Sequence, residues 1–110
     1  MSHGMDALPR WARVRQRFPG QPVADIAAAV AAAIEQIALA QRVKPGQRVA
    51  ITAGSRGVAN IVAVTAAVAA EVRRLGAEPF VFPCMGSHGN ATPQGQLEVL
   101  TSYGITPEAV

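Results

Sequence analysis

Apolar positions recur at Val23, Ile26, Val30, Ile34 and Ile37, three and four residues apart, the stripe of an amphipathic helix. Alanine fills most of the intervening positions, and it is the strongest helix former. The pattern predicts a helix from Val23 to about Gln41, closed by the turn signal Lys44-Pro45-Gly46. Arg48-Val49-Ala50-Ile51-Thr52-Ala53 then predicts a core strand. Beyond Gly54-Ser55-Arg56-Gly57, helical spacing returns at Ile61, Val64, Val68, Val72 and Leu75, and predicts a helix from about Val58 to Leu75, stopped by Gly76. Phe80-Val81-Phe82, bounded by Pro79 and Pro83, predicts a short buried strand. Thr92-Pro93 is a helix opening, with a capping hydroxyl and a residue that needs no N–H. That third helix runs to Tyr103, with Leu97, Leu100 and Tyr103 inward and Gly104 as its stop; Thr106-Pro107-Glu108 begins another.

Strand, helix and strand in this order form a βαβ unit with parallel strands and a right-handed crossover. The expected fold is α/β, a Rossmann-like parallel βαβ core with flanking helices, as a partial N-terminal domain. Parallel strands end on one edge of the sheet. The loops Gly54–Gly57 and Met85–Gly89 therefore become neighbours, although 32 residues separate Arg56 from His88.

Ahead of the helices, Ala12, Val14, Gln16 and Phe18 alternate with Trp11, Arg13, Arg15 and Arg17, a period-two strand signal. Residues 1–22 are read as a basic lead with an edge strand, and 23–110 as the α/β domain, whose natural polypeptide is expected to continue past Val110. The net charge of +3 on 110 residues lies in the lead, where Arg10, Arg13, Arg15 and Arg17 face only Asp6. Residues 23–110 balance six basic against six acidic side chains. Four arginines are few for a groove that tracks phosphates, so a solvated edge strand or lid is favoured over a nucleic-acid or membrane arm with Trp11 and Phe18 as stacking or insertion groups. The single Cys84 rules out an intrachain disulfide and fits a reducing compartment. No secretory signal is visible, and the most apolar stretch, Ile26–Ala40, is too short to span a bilayer and is interrupted by Glu35 and Gln36. These features predict a soluble, cytoplasmic protein without nucleic-acid or membrane partners.

Candidate chemistry centres on His88, set between Gly86 and Gly89 at the carboxyl end of a strand, where open α/β sheets keep their ligands. Imidazole exchanges protons near neutrality. The bland alternative is a histidine that only caps the following helix or bonds a backbone carbonyl. Arg56, where a βα loop meets a helix, suits a carboxylate or phosphate, and Ser55 either donates to the same anion or caps the helix. The Gly-x-x-Gly spacing lacks the Gly-Lys-Ser/Thr of a phosphate loop and is no dinucleotide fingerprint. Cys84 and His88 stand four apart without further ligands, so no metal set is predicted, and Cys84 is expected to pack as a small hydrophobe. Asn90 and Thr92 read as helix-start residues.

At Gly54-Ser-Arg-Gly57, Pro83-Cys-Met-Gly-Ser-His-Gly-Asn-Ala-Thr92 and Gly95-Gln96 the sequence resembles the N-terminal domain of the nickel-dependent lactate racemase family. The resemblance extends from about Trp11 through nearly the whole chain and is closest to homologues acting on other 2-hydroxy acids. It implies a two-domain isomerase whose cleft holds a nickel pincer nucleotide. In that family, hydride moves from the substrate Cα to the cofactor and back while two histidines exchange the hydroxyl proton. His88 matches the histidine of the N-terminal domain, and Arg56 the loop arginine near substrate and cofactor. Lactate racemases proper carry an Asp where this chain has Ala53, which points away from lactate itself. The second histidine, the cofactor-tethering lysine and the nickel-ligating histidine belong to a C-terminal domain that this chain lacks, so it is expected to supply half a site and not to turn over alone. The alternative is a non-catalytic small-molecule or nucleotide-binding module whose loops merely hold an anion.

Overall fold

The computed structural model describes residues 11–55 and 57–110. Its elements are helix α1 (Ile26–Gln36), strand β1 (Arg48–Ala53), helix α2 (Ile61–Arg74), strand β2 (Glu78–Pro83) and helix α3 (Pro93–Ser102). Single 3₁₀ turns lie at Leu39–Gln41 and Gly89–Ala91. The two strands are parallel and pair from Arg48 with Glu78 to Ala53 with Pro83. The expected α/β class with a parallel βαβ core and flanking helices is what the chain adopts.

Local chemistry explains where the elements start and stop. The Asp25 carboxylate accepts from the Ala28 amide at 2.9 Å, which caps α1 and leaves Val23 outside it, 62% exposed. Ala38, at a φ of 52°, breaks the predicted longer helix and turns it into the 3₁₀ turn. α2 starts at Ile61, the first residue of its apolar stripe and later than the expected Val58, because residues 57–60 form a bend and turn with Asn60 in the left-handed region. On α2 the buried positions are Thr65, Ala69 and Val72, and the helix packs on α1 as well as on the sheet. Ala69, with Pro79 and Val81 of β2, lines one groove beside the sheet.

The sheet has two unlike faces. Val49, Ile51, Ala53, Pro79, Val81 and Pro83 turn towards the helices. Phe80 and Phe82 lie on the other face, 37% and 39% exposed, with the Arg48 guanidinium 4.7 Å from the Phe80 ring centre. The expectation of a strand buried throughout is therefore corrected: β2 alternates. The amides of Glu78 and Cys84 donate to the carbonyls of Gln47 and Ala53, each at 2.8 Å. In a parallel ladder this sets Phe80 and Phe82 facing β1 and leaves Pro79, Val81 and Pro83 on the outer edge. Both prolines thus fall where no ladder donor is required, and Val81 is the single N–H on that edge.

The core cluster is Ala53, Met85, Leu100 and Ile105, flanked by Ile61, Val62, Val81, Val99 and Val110. It sits under the carboxyl ends of the strands, directly below the two loops. Residues 11–22 form no helix or strand and are exposed, Trp11 at 98% and Phe18 at 78%. The predicted edge strand is absent from these described residues: alternation alone is insufficient where no ladder partner joins it. Arg10 lies outside the described residues. Residues 106–110 make one turn, with the Ala109 and Val110 amides donating to the Thr106 carbonyl at 3.1 Å. Among the described residues no helix is long and apolar enough to cross a membrane.

Candidate functional site

The loops after β1 and β2 meet at one rim of the sheet, and the contact is chemical. The Ser55 hydroxyl and His88 Nδ1 share a hydrogen bond across 33 residues of sequence. Both residues are half-buried. Arg56, the anion-binding candidate beside Ser55, lies outside the described residues.

Ser55 does not play the capping part that its sequence position allows. α2 begins beyond it, and Asn60 stands at the cap without a side-chain hydrogen bond. Instead the Ser55 hydroxyl meets the imidazole while its carbonyl accepts from the Tyr103 hydroxyl at 2.5 Å. A small cleft of about 110 Å³ lies beside it, lined by Ser55, Gly57, Val58, Ile61 and Tyr103. A larger groove of about 360 Å³ runs between α2, β2 and α3, lined by Pro79, Val81, Leu97 and Leu100 among others, and includes neither Ser55 nor His88.

His88 precedes the 3₁₀ turn with extended backbone, and its side chain makes no capping bond there. Met85 fixes the loop from below: its side chain is buried in the core, and its carbonyl accepts from the His88 amide at 3.3 Å. Gly86 and Gly89 have φ of 59° and 62°, in the left-handed region. Gln96 Nε2 donates to the Gly86 carbonyl at 2.7 Å. Thr92 performs the predicted role: its hydroxyl oxygen accepts from the Gly95 amide at 3.1 Å and donates to the Gly89 carbonyl at 3.0 Å. Asn90 continues the turn in a left-handed conformation.

Cys84 is exposed, not packed as a small hydrophobe. Strand alternation explains the difference: Met85, the next residue, takes the inward position. Among the described residues no group of three or more His, Cys, Asp or Glu side chains is placed to hold a metal. Tyr103, Gln96 and Met85 are the residues that sequence reasoning missed as parts of the site. A usable signal existed along α3 and its C-cap, where Gln96, Leu100 and Tyr103 fall at i, i+4 and i+7 on one face.

No family profile matches the chain, and searches of curated proteins and of solved structures return no match either.

Proposed function

We propose that this chain is the N-terminal α/β part of a nickel-pincer-dependent 2-hydroxy acid racemase or epimerase, with His88 as its proton-transfer residue. One observation carries the reading: Ser55 and His88, from two glycine-flanked loops, meet through a hydrogen bond at the carboxyl edge of a parallel sheet. That edge is the ordinary ligand position in open α/β folds. The sequence resemblance at both loops supports the particular reaction class.

The pincer nucleotide would supply hydride acceptance and return. Among the described residues no group of three or more His, Cys, Asp or Glu side chains is placed to ligate its nickel; on the resemblance, that ligation would fall to a C-terminal domain. What this chain contributes is proton handling. Ser55 occupies Nδ1, so a proton exchanged with the substrate hydroxyl belongs to Nε2. On the sequence and the resemblance, the small acid's carboxylate would pair with the Arg56 guanidinium, a charge-assisted contact suited to a planar anion.

The test uses the longest polypeptide that the reading frame encodes, loaded with the nickel cofactor. It is incubated with single enantiomers of a panel of 2-hydroxy acids and followed by chiral chromatography. Interconversion of at least one acid is expected, falling by about 10²–10⁴-fold in His88→Ala, the usual contribution of a general acid–base residue. Full turnover in that variant removes the role assigned to His88. Anion binding without interconversion of any acid leaves the non-catalytic module as the better reading.

A further inference from the structure

We propose that Ser55 is the positioning residue of His88, accepting from Nδ1–H and holding the tautomer whose Nε2 lone pair is the base, and that Tyr103 sets Ser55 in place. The proposal rests on the reading of His88 as the proton-transfer residue. A histidine that takes a proton at Nε2 must carry its other proton on Nδ1 both before and after the transfer. Nδ1 is then a donor throughout and needs an acceptor that does not compete for the proton. A hydroxyl oxygen meets that need, having lone pairs to accept and no basicity near neutral pH.

The placement of that oxygen is built into α3. Gln96 and Leu100 lie on one face of α3, and Tyr103, the residue that closes the helix, continues that face. Leu100, 3% exposed, anchors the face in the core. One turn before it, Gln96 Nε2 donates to the Gly86 carbonyl of the histidine loop at 2.7 Å. About one turn after it, the Tyr103 hydroxyl donates to the Ser55 carbonyl of the other loop at 2.5 Å. The helix thus grips one carbonyl in each loop, and the Ser55–His88 pair is suspended between these two points. Ser55 acts on the ring directly, whereas Tyr103 acts through Ser55 and needs no contact with substrate.

The decisive readout is the tautomer, which is measured without cofactor or turnover. The 110-residue chain, labelled with ¹⁵N-histidine, is examined by long-range ¹H–¹⁵N correlation at about pH 8.5, above the usual imidazole range. His88→Gln identifies which of the two histidines gives each signal. Wild type is expected to show His88 with a protonated Nδ1 and a pyridine-like Nε2. Ser55→Ala should move it towards the Nε2–H form that unconstrained imidazole favours, and Ser55→Thr, which keeps the hydroxyl, should restore the wild-type pattern. Tyr103→Phe should lower the Nδ1–H fraction although Ser55 is intact. A wild-type His88 already in the Nε2–H form overturns the proposal, as does a spectrum that Ser55→Ala leaves unchanged. Should the tautomer be as stated while no 2-hydroxy acid is interconverted, the racemase reading fails and the positioning role stands.

Discussion

A methyl group at position 95 would stand 2.1 Å from the Gly89 carbonyl oxygen, and one at position 89 would stand 2.3 Å from the Gly95 carbonyl carbon. Both obstacles are backbone, which cannot swing aside as a side chain does. Gly89 and Gly95 therefore let the histidine loop lie against the first turn of α3. We expect Gly89→Ala to cost about 2–4 kcal/mol, from overpacking together with the left-handed φ. Gly86→Ala, whose added methyl meets nothing within 4 Å but whose φ is also positive, should cost only about 1–2 kcal/mol. Urea unfolding of the two variants checks the ranking, and equal midpoints would contradict it. The glycines were legible in the sequence as loop-formers, but their contact with Gly95 was not, because it depends on how α3 returns over the loop. Ser55 was legible as a polar loop residue. Its partner was not, since a hydroxyl serves an anion, a helix end or an imidazole equally well until the backbone places it. Tyr103 was read as an inward apolar residue; it is 43% exposed, and its hydroxyl reaches a loop carbonyl.

Elements with strong periodicity were legible, and their boundaries were not. β1, β2 and α3 fall almost where the pattern puts them, because glycine, proline and a Thr cap punctuate their ends. α2 starts late and α1 stops early, since Asn60 and Ala38 adopt left-handed conformations that no spacing rule announces. The first strand-like stretch, Trp11–Phe18, shows the limit of alternation: with no ladder partner it forms no strand and stays exposed. The prolines of β2 carry more information than bounding the strand. They mark its outer edge, while the Glu78, Phe80, Phe82 and Cys84 amides face β1. Hydrogen–deuterium exchange should therefore find those four amides slow and Val81 fast. Protection of Val81 equal to that of Phe80 would mean that another strand covers this edge. In the same element-scale terms, Leu100→Ala should cost about 2–5 kcal/mol, because it empties the centre of the core beneath both loops. Thermal unfolding measures that loss.

At the scale of the whole molecule, one topological fact organises the rest. A helix between two parallel strands brings both carboxyl ends to the same edge, so residues 33 apart in sequence become hydrogen-bonded neighbours. The core lies directly under that edge, and α3 ties the two loops to it through Gln96, Leu100 and Tyr103. This juxtaposition was legible from the order of strand and helix signals, whereas the atoms that realise it were not. A nuclear Overhauser measurement tests it most directly, because Nδ1 is bonded to Cε1 and a hydrogen bond there brings the Ser55 methylene close to that ring edge. A cross-peak between His88 Hε1 and the Ser55 Hβ protons is expected in the free chain. If His88 Hε1 shows no contact with Ser55, and instead gives cross-peaks only within its own loop, the two turns do not meet and the shared site does not exist.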